Sequence, residues 1–159
     1  MKITVISVGK IKEKFYREAL SEYEKRLSRY CTLNLIEVND EKTPDGASDH
    51  ECELILQKEG ERILSKIPDN AYVYALAIEG DMYDSVNFAN KIDRLGIGGE
   101  SNIIFVIGGS LGLSKDVKKR ANELLSFSKM TYPHQLMRVI LLEQIYRAYR
   151  IINNEPYHK

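Results

Sequence analysis

Residues 102–107 read NIIFVI, and the five consecutive apolar residues Ile103 to Ile107 leave neither face of a strand suited to water. Such a strand belongs inside a parallel sheet that carries helices above and below. The rest of the chain follows the same plan. Ile3 to Val8 forms a short β-branched strand, and Phe15, Ala19, Tyr23, Leu27 and Tyr30 then recur at helical spacing. Leu33 to Val38 makes a second strand, and Tyr72 to Ile78 a third. Between these two, Pro44, Asp45 and Gly46 supply turn chemistry within a loop over residues 39–47. Ser48 and Glu51 match a capping box ahead of a helix faced by Cys52, Ile55, Leu56, Ile63 and Ile67, and Pro68 stops it. Ser85 to Leu95 is a further helix, ending near Gly96. A short basic helix is predicted near Lys115 to Ala121, a brief strand at Leu124 to Phe127, and a long helix from Pro133 to about Ile152. Strands alternating with helices predict an α/β fold with a mostly parallel sheet flanked by helices.

At 159 residues the chain reads as one domain, 1–159, with no repeat or linker to divide it. Cys31 and Cys52 lack redox or zinc spacing and read as packed thiols. The alternating start, Met1 to Lys10, does not spell a signal peptide, and the apolar run from Leu136 to Ile152 is interrupted by Arg138, Glu143, Arg147 and Arg150. A cytosolic protein that does not enter membranes is expected. Net charge is zero, but residues 1–100 hold 14 Lys and Arg against 19 Asp and Glu, and the remainder 9 against 4. This asymmetry directs an anionic partner to the C-terminal part.

The last helix carries Leu136, Met137, Val139, Ile140, Leu141, Leu142, Ile145, Tyr146, Tyr149 and Ile152 over most of its circumference. A terminal helix so apolar predicts burial against a second copy of the chain, a homodimer through this helix.

Gly108, Gly109, Ser110, Leu111 and Gly112 follow the fourth strand, where open α/β sheets bind ligands. The spelling satisfies G-x-S-x-G, so one reading is a small serine hydrolase with Ser110 as nucleophile served by His134 or His158. No Asp stands suitably between them, since Asp116 follows Ser110 too closely. A P-loop spelling cannot be laid over Gly108 to Lys115, and Ser101 stands where a dinucleotide fingerprint after Gly96 needs its third glycine. Close backbone approach to a flat ligand and a plain tight turn both remain open.

The block Phe127-Ser128-Lys129-Met130-Thr131-Tyr132-Pro133-His134-Gln135-Leu136-Met137-Arg138, continued by Glu143 to Ala148 and by the terminus Pro156-Tyr157-His158-Lys159, strongly resembles the RlmH family. With the glycine loop in place and a matching length, the resemblance covers essentially the whole chain. These are SPOUT-type methyltransferases that use S-adenosylmethionine to methylate N3 of a pseudouridine in 23S (large-subunit) ribosomal RNA. The resemblance implies a C-terminal trefoil knot, a homodimer, action on the assembled ribosome and no metal.

Carried over position by position, the methyl-donor pocket is Leu76, Gly108, Phe127, Ser128, Lys129, Met130, Thr131 and Tyr132. An adenine ring wants apolar walls and a few backbone hydrogen bonds, which such loops supply. The tail 153–159 is expected at the active site of a neighbouring protomer, with His158 as proton acceptor, Tyr157 stacking on the base and Lys159 on phosphate. His134, at the helix start, is expected to orient a ligand rather than titrate. Arg138 and Arg150 lack a local partner in sequence and are expected on RNA phosphate, whereas Glu143 pairs with Arg147 four residues on. The basic run Lys115, Lys118, Lys119 and Arg120 reads first as a solvated face. A dimeric ribosome-binding module without catalysis is the third reading, beside the hydrolase and the methyltransferase.

Overall fold

The computed structural model describes all 159 residues. Its elements run β1 (Lys2–Val8), α1 (Lys14–Leu27), β2 (Thr32–Val38), α2 (Asp49–Leu64), β3 (Tyr72–Met82), α3 (Ser85–Ile97), β4 (Asn102–Ile107), α4 (Lys115–Arg120), β5 (Glu123–Ser126) and α5 (His134–Ile152). One five-stranded sheet holds them in the order β2-β1-β4-β3-β5, with every pairing parallel. The apolar strand β4 lies at the centre, as its two water-free faces require.

Alternate residues of β4 supply two separate cores. Ile103, Phe105 and Ile107 pack with Leu20, Phe88, Ile92 and Leu141 from α1, α3 and α5. Ile104 and Val106 pack on the other face with Ile63 of α2 and Val117 of α4. Leu141, Leu142 and Ile145 are fully buried, and removing each such side chain from water contributes roughly 2 kcal/mol. The capping box forms: the Glu51 amide donates to Ser48 Oγ at 3.2 Å, and Glu51 Oε1 accepts from the Ser48 amide at 3.4 Å. Pro133 is the cap of α5, so the helix begins one residue later than expected. No helix is long and apolar enough to cross a membrane.

Two expectations change. Helix α5 lies between α1 and α3 on the sheet, and every residue from His134 to Ile152 is buried or half-buried within the single chain. Its apolar circumference is therefore met largely by the chain's own helices and does not by itself require a second copy.

Arg138 is the second. Its residue is only 4% exposed, so it is not a surface cation awaiting phosphate. Nη1 donates to Glu37 Oε2 at 2.6 Å, while Nη2 donates to the carbonyls of Gly9 at 2.8 Å and Val8 at 3.2 Å. Glu37 also accepts from the Ile11 amide at 3.1 Å, and Gln135 Oε1 accepts from the Lys12 amide at 3.3 Å. The first turns of α5 are thus bonded to the ends of β1 and β2 and to the segment that follows β1. No sequence spacing announces such a pair, because its partners lie 101 and about 130 positions away.

Removing one partner of a buried ion pair is costly because the other stays desolvated, although Glu37 is partly exposed and recovers some hydration. Arg138→Met should therefore lower the unfolding free energy by about 3 kcal/mol, read as a reduced urea midpoint at unchanged slope. A change below about 0.5 kcal/mol would show that the tie carries no stability.

Candidate active site

Three backbone irregularities at the carboxyl ends of the central strands build the main cleft. In β3 the pairing with β5 slips: Leu76 and Asp81 both stand opposite Leu125, so residues 77–80 bulge out of the ladder. Gly80 permits this, since a Cβ there would lie 2.6 Å from the Leu124 carbonyl carbon. After β4, Gly108 to Gly112 fold into a tight turn in which the Gly112 amide donates to the Gly109 carbonyl at 3.0 Å. Gly112 has φ +85, and a Cβ on Gly108 would sit 2.6 Å from the Gly112 carbonyl carbon, so both positions need glycine. After β5, the loop to α5 is stitched by Ser126 Oγ donating to the Ser128 carbonyl at 3.1 Å and by the Met130 amide donating to Ser128 Oγ at 2.9 Å.

The cleft between these segments has a volume of about 370 Å³. Seven of the eight residues expected around the donor line it: Leu76, Gly108, Phe127, Ser128, Met130, Thr131 and Tyr132. Lys129 does not; it is exposed on the loop's outer side. Residues that the sequence reading missed include Ala77, Ile78 and Glu79 of the bulge, and Ser126. The one available trace was Gly80, beyond the expected strand end at Ile78; within the longer observed strand a glycine marks a bulge or close approach. Lys118 of α4 closes one side by donating to Glu79 Oε1 at 2.7 Å.

His134 and Ser110 border both this cleft and a more polar one beside it. Burial, with the charge of Arg138 second, holds the imidazole of His134 below its ordinary pKa of 6.5, against a weaker opposing pull from Asp40. The ring is thus neutral at physiological pH, held so by desolvation and the charge of Arg138 rather than by the helix dipole that its position at the helix start implied.

The hydrolase reading fails on geometry. A nucleophile elbow is a sharp strand-to-helix turn, whereas α4 begins only at Lys115, five residues after Ser110. Ser110 makes no hydrogen bond to either candidate histidine, and the ring of His158 lies against Arg147 Nη1 at 3.3 Å.

The tail folds back along α5 rather than fraying. Arg150 is paired to Glu155, bonds Tyr30 Oη at 3.1 Å and donates to the Pro156 carbonyl at 2.9 Å. The expectation of Arg150 on phosphate is corrected accordingly: this guanidinium is already spent on anchoring the tail. Tyr157 donates to Glu143 Oε1 at 3.0 Å, packs edge-on against Tyr146 at 5.0 Å and lies under Arg147 at 4.7 Å. Glu143 meets Arg147 at 2.7 Å, the local pair that their spacing implied. Tyr157 and His158 are outside the chain's own main cleft; His158 borders a separate hollow with Tyr83, Ser85, Phe127 and Gln144. Leu125, Ser126 and Phe127 line both, so the tail hollow and the main cleft adjoin along the end of β5. Lys159 is exposed.

Much of the C-terminal basic excess is likewise internal. Arg120 donates to the carbonyls of Pro68 at 3.0 Å and Ala71 at 3.2 Å, fastening the turn before β3. Lys115, Lys119 and Lys129 stay exposed.

Residues 1–158 match the family model described as "Predicted SPOUT methyltransferase". The chain is 63% identical over its full 159 residues, and the full length of the relative, to the Ribosomal RNA large subunit methyltransferase H of Clostridium tetani. Relatives of that name in Clostridium novyi and Clostridium kluyveri are 62% and 59% identical, also with complete coverage of both chains. Among solved structures, a probable methylase family protein from Haemophilus influenzae shares the fold at TM-score 0.54 and 13% identity, over 99% of this chain and 70% of that one. On this match, nearly end to end, the chain belongs to the SPOUT methyltransferase family.

Proposed function

We propose that the chain methylates N3 of a pseudouridine in 23S ribosomal RNA, with S-adenosylmethionine as donor and the assembled ribosome as substrate. The observation that carries the reading is the cleft itself. Three separate segments converge there, bringing together seven residues singled out from the family resemblance, with apolar walls and exposed backbone polar groups. The names of the relatives support large-subunit RNA as the acceptor.

The residues fit such a donor. Leu76, Phe127 and Met137 offer apolar faces for an adenine, and the glycine turn lets backbone approach the ligand closely. When bound, the donor supplies an electrophilic methyl on a positively charged sulfur. Toward that charge the chain presents a neutral His134 and the Glu79 carboxylate, while Lys118 is held against Glu79. Catalysis then rests on alignment and exclusion of water.

The homodimer belongs to the same proposal, with the threaded backbone of the family. Tyr157, His158 and Lys159, outside their own cleft, are assigned to the acceptor RNA at the cleft of a second copy. The internal bonds of Arg150 and Glu155 fix the tail in one conformation along α5, which lowers the ordering cost of presenting it to a second copy.

Calorimetric titration with S-adenosylmethionine should give a saturable one-site isotherm for the wild type and none for Ala77→Phe, which fills the cleft from the bulge. Absence of binding to folded wild-type protein would remove the donor from the account. Tyr157→Phe combined with His158→Ala should leave donor affinity unchanged and lower methyl transfer to ribosomes at least about tenfold. Unchanged transfer would sink the role of the tail. Because the folded-state pKa of His134 lies below the unfolded value of 6.5, its contribution to stability is complete above 6.5 and is lost as the pH falls below it through the folded-state pKa. The melting temperature of wild type should decline between pH 7 and 5.5, and His134→Gln should flatten that decline; identical profiles would contradict the assigned shift.

A further inference from the structure

The polar cleft beside the main one, also about 370 Å³, is bordered by Lys10, Lys12, Asn39, Glu59, Ser110, His134 and Gln135. It shares Gly109, Ser110 and His134 with the main cleft, so whatever fills one touches the same turn as whatever fills the other. At its floor is Glu59 of α2, a carboxylate only 5% exposed. Its Oε2 is fixed by the Glu41 amide at 2.9 Å, while Oε1 points toward the glycine turn, 3.5 Å from where a Cβ on Gly109 would stand. A residue with a side chain at 109 would crowd the approach to that oxygen, and the glycine keeps it open.

Of the two other carboxylates on the lining, Glu41 is paired with Lys58 and Arg62 and Asp40 is exposed; side-chain hydrogen-bond donors occupy the rest of the polar wall. Gln135 uses its amide oxygen on the Lys12 backbone, which leaves its amide nitrogen to donate into the cleft. The Asn39 side chain and the Ser110 hydroxyl carry no internal hydrogen bond. Lys10 and Lys12 stand exposed at the mouth. An imide ring has the converse pattern: one N–H between two carbonyl oxygens. The rim lysines suit a phosphate attached to it.

We propose that this cleft receives the acceptor base, with Asn39, Ser110 and Gln135 donating to its two carbonyls and Glu59 accepting the N3 proton. The inference rests on the methyltransferase reading above and assigns to Glu59 the task first expected of His158. The step balances simply. The N3 proton passes to the carboxylate, the nitrogen electron pair forms the N–CH3 bond, and the pair of the broken S–CH3 bond stays on sulfur as a neutral thioether. The proton then leaves to water through the open mouth. Burial raises the Glu59 carboxyl above its ordinary range and Asp40 and the Glu41 carboxylate add to this, against the Glu41 amide and Arg62, which lower it. Lys10, Lys12 and His134 face it across the cleft. A carboxylate moved upward is a better proton acceptor near neutral pH.

The test uses the full chain, ribosomes and Glu59→Gln, an isosteric change that still accepts from the Glu41 amide. Donor affinity by calorimetry should stay within twofold of wild type, transfer should fall about 100-fold or more, and the acidic limb of the pH–rate profile should disappear. Transfer within threefold of wild type overturns the proposal. Should Glu59→Gln unfold, the pair Asn39→Ala, at an exposed position, and Gln135→Ala, at a half-buried one, serves instead: a tenfold or larger rise in KM for ribosomes at unchanged donor affinity is expected, and an unchanged KM overturns the subsite. Apart from activity, pseudouridine 5′-monophosphate added to the S-adenosylhomocysteine complex should shift the NMR signals of Asn39, Gly109 and Gln135; shifts confined to other surfaces would contradict it. Failure of the wild type to bind donor at all would instead remove the underlying reading.

Discussion

A single buried guanidinium holds the functional end of this molecule together. Arg138 reaches from α5 to Glu37 of β2 and to the backbone carbonyls that end β1, so a helix from the end of the chain is locked to the two strands that begin it. Everything about the cleft depends on that lock. The loop from Phe127 to Pro133 is suspended between β5 and the start of α5, and His134 and Gln135 occupy the first helical positions. The tie also explains why an arginine in the last helix is not on the surface: its charge is met by Glu37, whose carboxylate stays partly exposed, and by the carbonyls of Val8 and Gly9.

The site is made almost entirely of places where regular structure is interrupted. Bulge, glycine turn and stitched loop each occur at the carboxyl end of a strand, where parallel sheets present backbone to ligands. The rigid sheet supplies the positions, and the interruptions supply the space of the cleft. Charge is used sparingly there and heavily elsewhere. Arg120, Arg138, Arg147 and Arg150 all have partners within the chain, so the net positive C-terminal half is not an open basic face. The exposed cations of Lys10 and Lys12 come instead from the half with net negative charge.

The layered fold was legible because its signals are local. Five apolar residues in β4 require helices on both faces, the capping box at Ser48 and Glu51 starts α2, and the residues Phe127 to Arg138, as they stand in sequence, carry the resemblance to a known family. Three things were not legible. The bulge at 77–80 is a register effect between strands about 45 residues apart, with Gly80 its only trace. The role of Arg138 depends on partners more than 100 positions distant. The last helix reads as a dimer face by periodicity, because a periodicity cannot distinguish a partner chain from α1 and α3 of the same chain. The tail illustrates the same limit, since the Arg150 and Glu155 pairing that orders it involves Tyr30, from the far end of α1.

The central claim is transfer of one methyl to N3 of a pseudouridine in large-subunit RNA. Its most direct measurement is incubation of purified protein with isotopically labelled S-adenosylmethionine and ribosomes that lack the modification, followed by digestion of the RNA and mass spectrometry of its nucleosides. The account predicts a single new labelled nucleoside, 3-methylpseudouridine, confined to 23S RNA and absent when Ala77→Phe replaces wild type. Label on any other nucleoside, or none from a protein that binds the donor, would contradict it.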